Sequence, residues 1–379
     1  MSDGTAPPAI RGLDNVIALQ SSVCRLSADD GGLSYRGYDV RELGERSSYE
    51  ETAFLLIHGH LPGSAELRQF TGELRAAQKL SPLIVRTMKG LPPGADAMAG
   101  LRAALAVLAI EHPVSVPPSR ADALVQGTRL VAVTPTIVAA WHRLRSGQRP
   151  VLPRKSLSFA ANFLAMTTGD LPPPESVHAF DVALVLRADN ELNPSTFAAR
   201  VTAATGADVF GGVIAGCSAL AGPRHGWHTR TVMATLEEIG SPERVPDWVQ
   251  GRLAGRKPIA GFGHVVYRGE DPRTELLRSL AEAECQRAGL GPMFRTAREL
   301  EVTVVRETGQ HPIVDFYLAP LYRALGFPTD LFTAVFAVSR MCGWVAHILE
   351  QYTDEKLLRP RAEYIGPVDL AYRSIRKRR

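Results

Sequence analysis

An almost all-α fold is what the sequence predicts. Apolar residues recur at helical spacing along nearly the whole chain, Pro and Gly punctuate those segments, and only short pieces look extended. The extended pieces are Asn15 to Leu19 and Gly32 to Tyr35. Ser48-Tyr49-Glu50-Glu51 then forms a capping box that opens a helix through Ala53-Phe54-Leu55-Leu56-Ile57, with a stop at Gly59 before Pro62. Pro-rich patches at 113–118 and 172–174 read as loops, not as linkers between independent domains. Thr134-Pro135 predicts a helix start with Pro in the first turn and Gly147 past the end. Further helices are expected over 176–190, 195–205, 208–221, 272–288, 290–307, 314–326 and 328–350. In the 208–221 segment, Gly211, Gly212, Ala215, Gly216 and Ala219 are small enough for close helix approach, either inside the core or at a subunit interface.

Composition limits the function classes. A chain of 379 residues with 45% apolar and 22% charged residues builds a large core and is not disordered by default. No uninterrupted apolar run of about eighteen residues is present, which argues against a membrane span. Met1 to Ile10 lacks an apolar signal core, so a cytoplasmic location is expected. Cys24, Cys217, Cys285 and Cys342 form no CxxC pair and read as reduced, buried side chains. The formal charge is +4, but Arg373 to Arg379 holds five basic residues, leaving 38 basic against 39 acidic elsewhere. A general nucleic-acid surface is therefore not expected, and the basic tail reads as a solvated terminus.

Chemistry is concentrated in three elements in order: Gly222-Pro223-Arg224-His225-Gly226, Gly261-Phe262-Gly263-His264 and Ile313-Val314-Asp315-Phe316-Tyr317. Histidine titrates nearest neutrality, and an Asp among apolar neighbours is a candidate tuned base. Glycine-rich turns let the backbone approach a ligand closely. His58-Gly59-His60 reads as a helix terminus, and the HxxH of His225 and His228 lacks the further ligands of a metal site. Arg340 lies in an apolar segment, where a cation is costly without an anionic partner. Asp271-Pro272-Arg273 follows His264 closely, and Arg359-Pro360 follows the Arg340 segment. Arginine forks beside His and Asp suit a small polycarboxylate at a proton-transfer site.

These residues, together with Gly12-Leu13-Asp14-Asn15-Val16, Leu33 to Asp39, Glu191-Leu192-Asn193-Pro194-Ser195-Thr196-Phe197 and Glu363-Tyr364-Ile365-Gly366, resemble the citrate synthase family in its short bacterial and archaeal form. The resemblance runs over nearly the whole chain. It implies a citrate synthase-like fold with a large helical domain (1–226 and 327–379) and a smaller helical domain inserted at 227–326. It implies an acyltransferase that condenses acetyl-CoA with oxaloacetate and hydrolyses the thioester. In that scheme Asp315 is the base at the acetyl methyl, His225 hydrogen-bonds the enol or enolate oxygen, and His264 polarises and protonates the ketone. Arg273, Arg340 and Arg359 hold carboxylates, with Arg359 reaching over from a partner subunit. Asn190, Arg187 and Asn193 are placed near the 2-oxo acid. Gly261, Phe262, Gly263, Val265, Val266 and Arg268 cradle CoA. No metal and no permanently bound cofactor are implied; an acyl-CoA is the cosubstrate, in a homodimer with shared sites.

The sequence also departs from the family. Arg187-Ala188-Asp189-Asn190-Glu191 stands where His-Ala-Asp-His-Glu is usual, Trp227-His228-Thr229 replaces Gly-Ala-Asn or Leu-Ala-Asn, and Leu318-Ala319 replaces Ser-Gly. An amide at 190 hydrogen-bonds but carries no charge, and Arg187 brings a permanent cation. Oxaloacetate with acetyl-CoA, propionyl-CoA giving 2-methylcitrate, or acetyl-CoA with a phosphonate-bearing 2-oxo acid such as phosphonopyruvate all share this chemistry. A non-catalytic scaffold is the remaining alternative, and the retained Asp315 and His264 argue against it.

Overall fold

The computed structural model describes residues 11–13, 16–27, 31–115, 117–264, 266–267, 269–354 and 356–377. A small antiparallel sheet comes first: β1 (Cys24–Leu26), β2 (Leu33–Tyr35) and β3 (Tyr38–Asp39), with Cys24 opposite Tyr35 and Ser34 opposite Asp39. Of the two expected extended pieces, the second is β2. Asn15 lies outside the described residues, and 16–19 contain no strand.

Sixteen α-helices follow among the described residues. The first eight are α1 (Val40–Arg46), α2 (Tyr49–His58), α3 (Ser64–Ala77), α4 (Pro82–Gly90), α5 (Ala97–Glu111), α6 (Arg120–Arg145), α7 (Phe159–Thr168) and α8 (Pro174–Leu186). The rest are α9 (Pro194–Ala203), α10 (Val209–Leu220), α11 (His228–Ile239), α12 (Val245–Ala254), α13 (Thr274–Arg287), α14 (Gly291–Thr308), α15 (Val314–Ala324) and α16 (Phe332–Asp354). The all-α expectation therefore holds, and the helices expected between 176 and 350 lie within a few residues of those observed.

The helix ends follow local chemistry. Ser48 caps α2 by accepting the Glu51 N–H at 3.2 Å, and Gly59 ends it in the left-handed region. The reciprocal half of the capping box is not made: the Glu51 carboxylate takes the Ser47 hydroxyl instead. Thr134-Pro135 does not open a helix. Pro135 lies inside the 26-residue α6, whose residues from Leu130 to Trp141 are all buried. Burial on every side keeps this segment helical although Pro removes one backbone donor. The hydroxyl of Thr134 donates to the Leu130 carbonyl at 2.6 Å within the same turn.

Around α16 the core is continuous, with α2, α5, α6, α9 and α10 packed against it. By length and composition, α6 and the stretch ending in α16 could cross a membrane, yet the apolar window of α16 is wholly buried within the fold. The Gly212–Gly216 face of α10 packs on Trp344 and Ile348 of α16, while Ile214, Ala215, Ser218 and Ala219 face partly or fully outward. All four cysteines are buried and free, as the sequence suggested. Helices α11 to α15 pack among themselves, with α15 held between α11 and α13.

One half-buried acid makes stability pH-dependent. Asp181 accepts the Tyr49 N–H beside Glu50, whose carboxylate accepts the Phe159 N–H at 2.8 Å. Burial, then the Glu50 charge, pushes the Asp181 carboxyl up to about 7. The folded state therefore holds a proton that the unfolded chain releases, so this site loses stability as pH rises from about 4 to about 7. Asp181→Asn is expected to melt at a higher temperature than the parent at pH 8, with the difference shrinking towards pH 4. Calorimetry across that range checks it.

Candidate active site

The three expected proton-transfer residues sit on three connections. His225 lies in the turn between α10 and α11, His264 in the loop before α13, and Asp315 in the first turn of α15. The last two are tied together by backbone. Phe262 pairs with Pro312 in an isolated antiparallel bridge, flanked by Gly263 N–H to the His311 carbonyl at 3.0 Å and Ile313 N–H to the Gly261 carbonyl at 2.9 Å. Gly261 adopts φ +87, and a Cβ there would lie 2.7 Å from Val232 and 2.9 Å from Phe316, so no other residue fits.

Asp315 is buried, and its Oδ1 accepts from Arg187 Nη2 at 2.5 Å and from the Thr229 hydroxyl. Arg187 Nη1 donates in turn to Thr229 Oγ1 at 2.9 Å. Burial alone would raise this carboxyl. The charges of Arg187 and His228 and the hydrogen bonds from Thr229 and Arg187 outweigh it and hold it at about 2.

Both histidines are neutral. Burial, reinforced by Arg340 and Arg187 against the pull of Asp315, lowers His225 to about 3. Its Nε2 lies 2.8 Å from Ser195 Oγ, which also donates to Asn193 Oδ1 at 2.7 Å and accepts from Trp344 Nε1 at 3.2 Å. A serine hydroxyl has one hydrogen, so Ser195 controls the His225 tautomer. Donation to His225 leaves the imidazole proton on Nδ1; donation to Asn193 leaves it on Nε2. His264 is also lowered, by burial and then by Arg273. Its Nδ1 accepts the N–H groups of Val266 and Tyr267 at 3.0 and 3.1 Å, which puts the proton on Nε2.

The arginines are held in different ways. Arg273 is fully buried in a two-pronged pair with Asp271, through Nε at 2.8 Å and Nη2 at 2.7 Å. Asp271 Oδ2 also accepts the N–H of Val314, the first residue of α15, at 3.1 Å. Arg340 donates from Nε to the Arg187 carbonyl at 3.1 Å, and its buried Nη1 has no protein partner. Arg187 Nε and Asn190 Oδ1 are likewise buried without a partner. The Arg187 and Arg340 guanidinium carbons lie 3.6 and 4.7 Å from the Phe336 ring centroid. The two arginine donors suit an anionic ligand, whereas the Asn190 oxygen can only accept a hydrogen bond.

Close packing of α16 against 188–189 seats this group. A Cβ at Gly343 would come within 2.4 Å of the Ala188 carbonyl oxygen, so α16 approaches the end of α8 as only glycine permits. Beneath it His347 meets Asp189 at 3.1 Å, and Tyr35 Oη donates to the Leu186 and Asp189 carbonyls at 3.2 and 3.1 Å.

Of the other expected residues, Asn193 is the N-cap of α9, accepting the N–H groups of Ser195 and Thr196. Gly261, Phe262, Gly263 and Val266 form the loop around His264, while Val265 and Arg268 lie outside the described residues. Arg359 is exposed on the segment after α16 and takes no part in these hydrogen bonds. Sequence reading passed over Ser195, Thr229 and Phe336 as site residues; Ser195 stood inside a quoted motif, whereas Phe336 gave no local signal. Among the described residues no three His, Cys, Asp or Glu side chains gather as metal ligands.

A family model described as "Citrate synthase, C-terminal domain" matches residues 12–361. The chain belongs to the citrate synthase family. It is 40% identical over 366 residues to citrate synthase 2 of Bacillus subtilis, covering 95% of this chain and 96% of that one. It is 36% identical over 363 residues to 2-methylcitrate synthase of Mycobacterium tuberculosis, covering 95% and 91%. Its fold matches the ternary complex of Thermoplasma acidophilum citrate synthase with carboxymethyl coenzyme A and oxaloacetate at a TM-score of 0.92, with 29% identity and coverage of 97% and 98%. Membership of the citrate synthase family makes this an enzyme of the acyltransferase type with that family's all-α fold.

Proposed function

We propose that the enzyme condenses acetyl-CoA with oxaloacetate and hydrolyses the product thioester, releasing citrate and CoA. The convergence of Asp315, two neutral histidines and buried arginine donors around one region supports this most directly. Asp315 takes a methyl proton from the acetyl group, and His225, donating from Nδ1 once the Ser195 hydroxyl turns its hydrogen from Asn193 to His225 Nε2, meets the negative charge that develops on the thioester oxygen. A neutral imidazole suits this role, since pre-placed donors stabilise charge as it forms. The enolate carbon attacks the ketone carbon while His264 Nε2–H hydrogen-bonds the ketone oxygen and supplies its proton. Water then adds to the thioester carbonyl and CoA leaves as the thiol. Arg340 and Arg273 orient the oxaloacetate carboxylates. The loop of Gly261, Phe262, Gly263, Val265 and Val266, with Arg268, holds CoA.

In this reading helices α11 to α15, within 227–326, form the smaller unit, and 1–226 with 327–379 the larger. Closure between them excludes water from the enolate. The working form is a cytoplasmic homodimer serving the tricarboxylic acid cycle. The extended segment after α16, with Tyr364, Ile365, Leu370 and Tyr372 exposed, and the outward face of α10 supply apolar surface for the second copy. Arg359 then completes the neighbouring site. Arg359→Ala is expected to raise KM for the 2-oxo acid about tenfold to a hundredfold, the loss of one charged hydrogen bond. Mixed dimers of Arg359→Ala and Asp315→Ala subunits should regain turnover, because one site then has both residues intact. No recovery on mixing would mean that Arg359 does not act across subunits.

The assay of the main reading is CoA release from acetyl-CoA with oxaloacetate, with citrate identified by mass spectrometry. A second reading is favoured by the paired Arg187 and Arg340 over Phe336: a 2-oxo acid whose far end is a more highly charged phosphonate, such as phosphonopyruvate. The relative named 2-methylcitrate synthase makes propionyl-CoA the other cosubstrate to run in parallel. Efficient turnover of oxaloacetate and none of phosphonopyruvate sinks the phosphonate reading.

A further inference from the structure

The geometry points to Arg187 as a positioning residue that keeps Asp315 paired until the 2-oxo acid binds, then shifts its charge to that anion so that proton abstraction waits for the second substrate. The inference rests on the condensation reaction proposed above.

The pairing is two-pronged. Arg187 Nη2 donates to Asp315 Oδ1 at 2.5 Å, Nη1 donates to Thr229 Oγ1 at 2.9 Å, and the Thr229 hydroxyl donates to the same Asp315 oxygen. A carboxylate oxygen carrying two strong donors is a poor acceptor for a carbon-bound proton, because general bases work best with affinities near the operating pH. Both donors fall on Oδ1, so they weaken the carboxylate as a base without covering Oδ2. An anion that competes for the guanidinium restores that basicity.

The receiving geometry is already present. Arg187 Nε is buried without a partner, as is Arg340 Nη1. Both guanidinium groups lie over Phe336, and Arg340 Nε is fixed on the Arg187 carbonyl at 3.1 Å. An anionic group that reaches either donor finds it unused. As Arg187 turns its charge to that group, the Asp315 carboxylate loses its strongest partner while remaining buried, and its basicity rises. Were Arg187 only a structural counter-ion, its removal would alter stability without changing the dependence of proton abstraction on the 2-oxo acid.

The groups facing Asp315 are Arg187 at the end of α8, Thr229 and His228 on α11, His225 before it, His264 on the tied loop, and Tyr322 on α15 itself. Of these, Arg187 contributes the largest lowering. With it gone, the acid limb of the pH–rate profile moves upward.

The test measures deuterium uptake into the acetyl-CoA methyl group in heavy water, with and without malate as a non-condensing dicarboxylate, in the native enzyme and R187Q. CoA release with oxaloacetate is measured alongside. The native enzyme should exchange only with the dicarboxylate present. R187Q should exchange without it at a rate raised about tenfold or more, with the acid limb of kcat/KM for acetyl-CoA moved up by about one pH unit. KM for oxaloacetate should rise as well. Should R187Q fail to fold, R187K, which keeps the charge and loses the fork, is judged on the same two readouts. Equal dependence on dicarboxylate and an unmoved acid limb in the folded variant overturn the inference while leaving condensation intact. Absence of CoA release with every 2-oxo acid in the native enzyme overturns the reading beneath it as well.

Discussion

Asp315→Ala is expected to lower kcat by about 10²- to 10⁴-fold, the range over which a positioned general base acts. KM for the 2-oxo acid should change far less, since Arg340 and Arg273 are untouched. The same change strands Arg187, whose side chain is only 1% exposed, and loss of one partner from a buried pair costs about 3–5 kcal/mol. Asp315→Asn separates the two effects. Its amide oxygen still accepts from Thr229 and Arg187, so denaturant stability should fall less than in the alanine variant while kcat falls comparably. Steady-state kinetics paired with urea unfolding check this. A kcat within tenfold of the native value would remove Asp315 from the role of base.

Asp271→Ala is expected to destabilise the fold by about 3–5 kcal/mol, because it leaves Arg273 charged and wholly buried with no acceptor for Nε or Nη2. The loss reaches the site through the backbone. Asp271 also accepts the N–H of Val314, which precedes Asp315, so α15 loses an anchor at its first residue. Asp271→Ala combined with Arg273→Met should recover part of the stability, since both charges are then gone and an apolar side chain fills the space. Recovery of stability without recovery of turnover would separate the folding role of the pair from the positioning of α15. Equal unfolding midpoints for native and Asp271→Ala proteins would show that Arg273 finds another partner.

Much of this was legible from the sequence. The order of His225, His264 and Asp315 and their glycine-rich settings led to the site. The helices closed by Pro, Gly or Ser, such as α2 between Ser48 and Gly59, lay where expected. What failed was non-local. Pro135 reads locally as a helix start, but burial from Leu130 to Trp141 carries α6 straight through it. Arg187 was visible as a departure from the family motif. Its pairing with an aspartate 128 residues away was not, because no local pattern encodes such a contact. Phe336, one turn before Arg340, looked like an ordinary core residue until two guanidinium groups were found over its ring.

The bridge between Phe262 and Pro312 has a consequence for how such an enzyme changes over time. Because the His264 loop and the start of α15 share one backbone bridge, their separation is fixed by peptide geometry and not by side chains that drift. Residues such as Arg187, Asn190 and Thr229 lie outside that bridge. On the proposed roles, substitutions at such positions alter which keto acid is admitted while the spacing of His264 and Asp315 stays as the bridge sets it.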